Sequence, residues 1–206
     1  MRVFIFILLL LIVTSCATKK DSGKRLLPEG IKSATEELYS VVNKEKRLLQ
    51  KKQMVFTKNG RIKHSKTVDS LGNLLQETEK KLFYSIETYP GKEPYYCKTR
   101  WKPNGRERIS CYTRKQYKQN EAIYYYNANG TIAKIVDTFT TFYTQYFYYT
   151  NNELTRIVTK DNKDILVDDV SVHCETRDEK GACLKEIRVS KTTNRKEEIC
   201  FYPVYK

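Results

Sequence analysis

Tyr124-Tyr125-Tyr126-Asn127-Ala128-Asn129-Gly130-Thr131-Ile132 holds a whole β-hairpin corner in one short run. Tyr124 and Tyr126 alternate, so their rings fall on one face of a strand. Ala128-Asn129-Gly130 suits a type I turn followed by glycine in the left-handed region, closing a three-residue loop. Ile132 then begins the return strand and packs beneath the rings. The same turn signal recurs at Lys58-Asn59-Gly60 and Pro103-Asn104-Gly105. Leu71-Gly72-Asn73, Pro90-Gly91, Asn151-Asn152, Asp161-Asn162 and Lys180-Gly181 punctuate the remainder. Between the turns, Leu82, Tyr84 and Ile86 alternate with mostly polar neighbours, as do Ile187 and Val189. This spacing predicts about ten to twelve strands. Short turns force consecutive strands to pair antiparallel. The expected fold class is therefore mainly β, an antiparallel meander over residues 54–206. An open sheet, a sandwich and a barrel all satisfy that pattern.

The hairpin corner also sits inside a weak repeat. Met54-x-Phe56 to Gly60-Arg61-Ile62 is a second copy, Phe147-x-Tyr149 to Glu153-Leu154 a degraded third, and Trp101 to Gly105 a fourth without the aliphatic. These copies resemble the YD repeats of RHS-type cell-surface proteins. Spacing is uneven, and Asn127, Thr57 or Thr150 stands where that repeat usually has Asp. The resemblance implies hairpin architecture and surface biology and transfers no activity.

Ahead of the repeats, Ser33 and Glu36 make a capping-box pattern. Ile31, Ala34, Leu38, Val41, Val42, Leu48 and Leu49 fall roughly on one helical stripe. Residues 30–53 therefore read as one N-terminal amphipathic helix, with Lys44, Lys46, Arg47, Lys51 and Lys52 supplying a basic face. That helix either docks on the β domain or lies on anionic lipid. The mostly polar segment 16–29 reads as a tether.

At the amino terminus, Arg2 precedes an unbroken apolar run from Val3 to Val13, too short to span a bilayer and suited to a signal-peptide core over 1–15. Val13-Thr14-Ser15-Cys16 resembles the lipobox of bacterial lipoproteins. The resemblance implies diacylation of the Cys16 thiol, cleavage before it and acylation of the new amine. The implied anchor carries diacylglycerol and a further acyl chain such as palmitate. Ala17 is not the Asp that often retains lipoproteins at the inner membrane, so the outer membrane is the implied location. Each buried lipid CH₂ contributes about 0.8 kcal/mol, so several chains make release negligible.

Cleavage removes fifteen residues and one charge from a chain of 206 at net +14, leaving 191 residues at +13. The length suits one domain. The 16 Tyr and 8 Phe favour sheet. The basic excess points to anionic surroundings or to solubility alone. Nucleic acid is excluded as a partner once the chain is exported.

Five cysteines follow Cys16: Cys97, Cys111, Cys174, Cys183 and Cys200. A three-residue loop at Pro103-Asn104-Gly105 places Cys97 opposite Cys111, so these two are expected to pair. Cys183 can pair with either Cys174 or Cys200, which leaves one of the three unpaired within a monomer.

No GxSxG, HExxH or Walker-type sequence occurs. His64 is in phase with Ile62 and Val68, and His173 adjoins Cys174 but would point to the other face of a strand. Asp168-Asp169 lacks the clustered acidic ligands of a cation site. Asp69-Ser70-Leu71 resembles a short bacterial O-glycosylation motif in a turn. The reading assigns no enzyme activity, no cofactor and no metal. It gives a lipid-anchored cell-envelope protein with a binding or structural role. Its candidate partners are anionic lipid, a glycan or an envelope protein. The candidate cluster is Arg114, Lys115 and Lys118, interleaved with Tyr112 and Tyr117. Two rivals stand beside it, an immunity or inhibitor lipoprotein that blocks a protein partner, and an envelope glycan hydrolase.

Overall fold

The computed structural model describes residue 24, residues 26–102 and residues 105–206. The signal peptide over 1–15, the lipidation residue Cys16 and most of the 16–29 tether lie outside the described residues. Fourteen strands follow: β1 Ile31–Val42, β2 Glu45–Phe56, β3 Ile62–Asp69, β4 Leu74–Lys80, β5 Ser85–Thr88, β6 Tyr95–Lys102 and β7 Arg106–Tyr112, then β8 Lys118–Tyr126, β9 Ile132–Asp137, β10 Thr144–Thr150, β11 Glu153–Lys160, β12 Leu166–Arg177, β13 Cys183–Ser190 and β14 Lys196–Tyr205. Each pairs antiparallel with its sequence neighbours, and β1 also pairs with β14. The meander thereby closes into a barrel that leaves no sheet edge exposed.

The asparagine–glycine corners are made as their sequence dictates. Thr57 and Arg61 close one loop through a 2.8 Å backbone bond, and Asn127 and Thr131 close another at 2.8 Å. Gly60 and Gly130 hold φ of 76° and 92°, a region where a side chain is strained. At the β6–β7 loop Lys102 lies opposite Arg106, which sets Cys97 directly opposite Cys111.

Residues 30–53 are not a helix. They form β1 and most of β2, joined by the two-residue turn Asn43-Lys44 at φ 51° and 70°. Positive φ at both central residues is the type I′ geometry that a tight hairpin needs. Thr35, Tyr39, Val41 and Val42 suit strand, and the stripe that matched a helix is split by the pleat. The basic residues read as one face are answered individually: Lys51 meets Glu37 at 3.0 Å and Lys46 meets Glu198 at 2.5 Å. The decisive reason is closure. Without β1 and β2, the facing edges of β3 and β14 would be left with unpaired backbone groups. Removing these two from fourteen leaves the twelve strands of the repeat region.

Directly opposed residues share a face, so one wall of the ring can be followed from Ala34 to Met54 and Ser65, and on the far side from Trp101 to Glu107 and Tyr124. Leu27 packs against the cluster of Ala34, Met54, Phe56 and Phe201 on β1, β2 and β14. Lys24 reaches Glu107, Trp101 and Tyr126 on β6 to β8, the opposite arc of the ring. Three residues of chain span at most about 11 Å. A path outside seven strands at 4.7–4.9 Å spacing would exceed about 30 Å. Lys24 and Leu27 therefore lie inside the ring and this face is the inner one, with the described residues 24 and 26–30 forming one crossing segment. We call it the strap.

Strand packing runs between sheet neighbours, with no extensive contact across the ring. About eight strands suffice for side chains to fill a barrel, so fourteen leave space. A cavity of about 360 Å³ lies beneath the strap, lined by Leu26, Leu27, Glu36, Leu154, Arg188 and Phe201 among others. The odd-to-even topology puts Ile31, Tyr205 and the hairpins β2–β3, β6–β7 and β8–β9 at one end, the near end, which the strap crosses. The hairpins β1–β2, β3–β4 and β7–β8 lie at the far end.

Candidate functional site

The outer wall carries charge where a membrane-spanning barrel carries an apolar band. By register, Lys98, Arg108 and Glu121 point outward with Ser110 and Ile123, as do Lys134, Arg156 and Asp169. Such residues at mid-strand oppose burial in hydrocarbon. Among the described residues, no helix is long and apolar enough to cross a membrane either.

On β6 to β11 this wall becomes both basic and aromatic. Arg100 of β6 stands directly opposite Arg108 of β7. Like charges in that position repel. Neither guanidinium has a carboxylate partner among the described residues, and the buried Nε of Arg108 has no hydrogen-bond partner. Next to them, Arg106, Tyr125, Lys134 and Tyr146 line up across four strands. The Tyr125 ring lies 5.9 Å from the Arg106 guanidinium and 4.6 Å from Lys134 Nζ, while Tyr146 lies 5.9 Å from Lys134 and 6.0 Å from Lys160. Lys134 has no carboxylate in ion-pair reach among the described residues. Lys160 is answered by Asp164 at 2.9 Å, a hydrogen bond that raises its pKa. Arg156 stacks on Tyr148 at 5.7 Å and grips Asp169 with Nε and Nη2 at 2.7 and 2.8 Å, which lowers the Asp169 pKa. The patch thus leaves Arg100, Arg108 and Lys134 without a carboxylate partner among the described residues, while Arg156 and Lys160 are paired internally.

The sequence-derived cluster lies elsewhere. Arg114 and Lys115 project from the β7–β8 turn at the far end, where Tyr117 is exposed. Lys118 contacts Glu121 at 3.3 Å and the Phe139 ring at 5.9 Å, and Tyr112 lies opposite Tyr96 on β7. Of the aromatic strand 142–149, Phe147 and Tyr149 share the inner face with Ile157, and Tyr146 and Tyr148 are outward with no helix above them. Arg100 and Arg108 are opposed by the same three-residue loop that opposes Cys97 and Cys111, but the row from Arg106 to Tyr146 depends on pairing across four strands and is not written in the linear sequence. Tyr146 and Tyr148 in the aromatic strand were its one visible trace.

The structure joins Cys97 to Cys111 and Cys174 to Cys183, and leaves Cys200 free. Glu87 lies near the first pair, but sulfurs already bonded to each other offer no thiolate to a metal. Burial, followed by the Glu198 contact, raises the Cys200 thiol pKa, so it is a poor nucleophile. His64 faces outward and meets Glu77 at 2.8 Å, and His173 is exposed on the outer face opposite Ile187. Asp168 accepts from Ser190 Oγ at 2.6 Å while Asp169 belongs to Arg156, so the two carboxylates do not converge. Asp69 accepts from the backbone N–H groups of Leu71 and Asn73, which fixes Asp69-Ser70-Leu71 in an exposed far-end turn.

No family model and no curated protein matches the chain. Among solved structures it is similar to a porin-like protein from Bacteroides uniformis, at 9% identity and TM-score 0.42, covering 83% of this chain and 60% of that one. It is also similar to a LolA superfamily protein from Nitrosomonas europaea, at 7% identity and TM-score 0.40, covering 90% and 92%. An outer membrane lipoprotein-sorting protein domain from Vibrio parahaemolyticus stands at 8% identity and TM-score 0.40, covering 89% and 90%. The chain spans less than two thirds of the length of the porin-like protein.

Proposed function

We propose that this chain is a lipid-anchored protein of the bacterial outer membrane, held through Cys16, whose barrel binds an anionic envelope component without catalysing a reaction. The observation that carries the binding role is the opposed pair Arg100 and Arg108, two guanidiniums in register with no carboxylate partner among the described residues. A phosphate or carboxylate between them relieves their repulsion and accepts bidentate hydrogen bonds. Tyr125 and Tyr146 offer ring faces beside it for sugar or acyl surface. The lipobox supports the anchor, and chain length ties the anchor to the patch. Eight residues from Cys16 to Lys24 reach at most about 28 Å. The strap crosses the near end, where Arg106 and Tyr125 sit beside the β6–β7 and β8–β9 hairpins. The patch therefore belongs to the half of the barrel nearest the anchoring membrane, within reach of phosphorylated headgroups.

Cys16→Ser tests the anchor: the variant should stay unlipidated and lose membrane retention, and unchanged detergent partitioning would overturn it. For the patch, a soluble form beginning at Ala17 is titrated with purified lipopolysaccharide and with anionic and neutral vesicles at low and high salt. Changing Arg100, Arg108 and Lys134 to Gln should weaken binding several-fold and flatten its salt dependence, because exposed charges are screened beyond about 8–10 Å. Changing Arg114, Lys115 and Lys118 to Gln should have the smaller effect. Absence of binding to every anionic probe would move the reading to a blocked protein partner.

A further inference from the structure

Among the described strap residues, Lys24 reaches across to β6–β8 with its charge, and its surroundings resemble a receptor more than a surface contact. Its Nζ lies 3.1 Å from Glu107 Oε2, 4.4 Å from the centre of the Trp101 ring and 4.9 Å from that of Tyr126. The side chains of Lys24 and Glu107 are only 11% and 9% exposed. Tyr126 donates its hydroxyl to the same Glu107 oxygen at 2.5 Å, which fixes the carboxylate beneath the rings. Trp101 and Tyr126 are themselves in contact at 6.4 Å, so the two faces form one concave wall. Two ring faces and a carboxylate around a desolvated nitrogen are the elements of an alkylammonium site. All three belong to the β6–β8 arc: Trp101 stands opposite Glu107 by register, and Tyr126 is tied to Glu107 by its own hydroxyl.

We propose that Trp101, Glu107 and Tyr126 form an ammonium-binding cage on the inner wall, and that Lys24 is its tethered ligand. The strap is then a latch: Leu27 holds one end against Phe201 and its neighbours, and Lys24 holds the other. A free alkylammonium group competes with Lys24 for the cage. It can come from an ethanolamine headgroup or from an amino side chain of a peptide. The Glu107 contact requires an N–H donor, so a primary ammonium is favoured over a quaternary one. Because Lys24 is joined to the barrel by a short segment, its effective concentration is of millimolar order, and a free amine must exceed that to enter. Release of Lys24 would also free the strap that roofs the 360 Å³ cavity.

The chain has a single tryptophan, and it is in the cage, so intrinsic fluorescence reads the site directly. The full-length chain in detergent is titrated with n-butylammonium against potassium chloride of equal ionic strength. Lys24→Gln should show a saturable change in Trp101 emission at a concentration at least tenfold lower than the unaltered chain. Tetramethylammonium should bind Lys24→Gln more weakly, and the double change Lys24→Gln, Glu107→Gln should abolish saturation. A second measurement needs no substitution: butylammonium should raise hydrogen exchange of the strap residues 26–30 in the unaltered chain. Unchanged emission in a Lys24→Gln chain that keeps its β-sheet circular dichroism would make Lys24 a structural tie and overturn the proposal. Equal midpoints with and without Lys24, or strap exchange indifferent to butylammonium, would overturn the latch. Binding of dispersed phosphatidylethanolamine but not of butylammonium would also overturn it, since the recognised group would then not be the amine.

Discussion

Asp169 shows how the outer wall tolerates a buried charge. It is held by the Arg156 fork at 2.7 and 2.8 Å, with Lys191 at 3.7 Å beyond. The Arg156 bonds lower its pKa, so its contribution to stability is complete above the unfolded value near 3.9 and is lost as pH falls through the folded value. Asp169→Asn should cost about 1–3 kcal/mol at neutral pH by urea unfolding. The gap between the two proteins should narrow below about pH 4; a gap that persists there would rule out the ion pair as its source. Gly130 provides a separate test of backbone conformation. A Cβ added there meets nothing within 4 Å, so its φ of 92° is the whole cost of a side chain. Gly130→Ala should destabilise by about 1–2 kcal/mol in the same assay. The turn around Gly130 and the opposition of Cys97 and Cys111 were legible in the sequence because both follow from local loop length. The same loop also opposes Arg100 to Arg108 and Trp101 to Glu107, so those pairs were open to the same reading, whereas the place of Lys24 against the cage was not, because no spacing links it to β6–β8.

At the scale of elements, the β1–β2 hairpin is where local pattern misleads. Its residues satisfy a helical stripe and a capping box, yet the chain turns at Asn43-Lys44. Lys44→Gly distinguishes the two conformations by sign. Glycine relieves the strain of φ 70° in the type I′ turn and should stabilise by about 1 kcal/mol. In a helix the same change would destabilise by about 1 kcal/mol. A rise in thermal midpoint supports the hairpin, and a fall contradicts it. The basic residues of this segment are also better explained by strands, since Lys51 finds Glu37 on the neighbouring strand and Lys46 finds Glu198 one strand further on.

For the whole molecule, everything rests on the seam between β1 and β14. Glu37 lies directly opposite Cys200 across it, and both face outward beside Glu198 and Tyr39. Glu37→Cys should therefore form a new disulfide with the native Cys200 on mild oxidation, detected by peptide mapping without reduction. The β-sheet circular dichroism should be unchanged. Failure to crosslink, with Cys200 still alkylatable after unfolding, would mean that the ring is open. Closure also fixes the function that the barrel can have. A closed fourteen-strand ring is too wide for its side chains to fill, so it offers an interior wall for the strap and cavity and an exterior wall for the patch.

The sequence by itself determined the antiparallel meander, most of its corners and the pairing partner of Cys97 implied by loop length. Each is written within a few consecutive residues, as a period of two, a glycine that must take positive φ, or a short motif. Only the tertiary structure decided that residues 31–56 are two strands, that the sheet closes, and which walls face in and out. These depend on pairing between β1 and β14, at opposite ends of the chain, and unpaired backbone groups on two edges outweigh a local helical preference. Long-range placement, rather than any local signal, also sets Lys24 against Trp101, Glu107 and Tyr126.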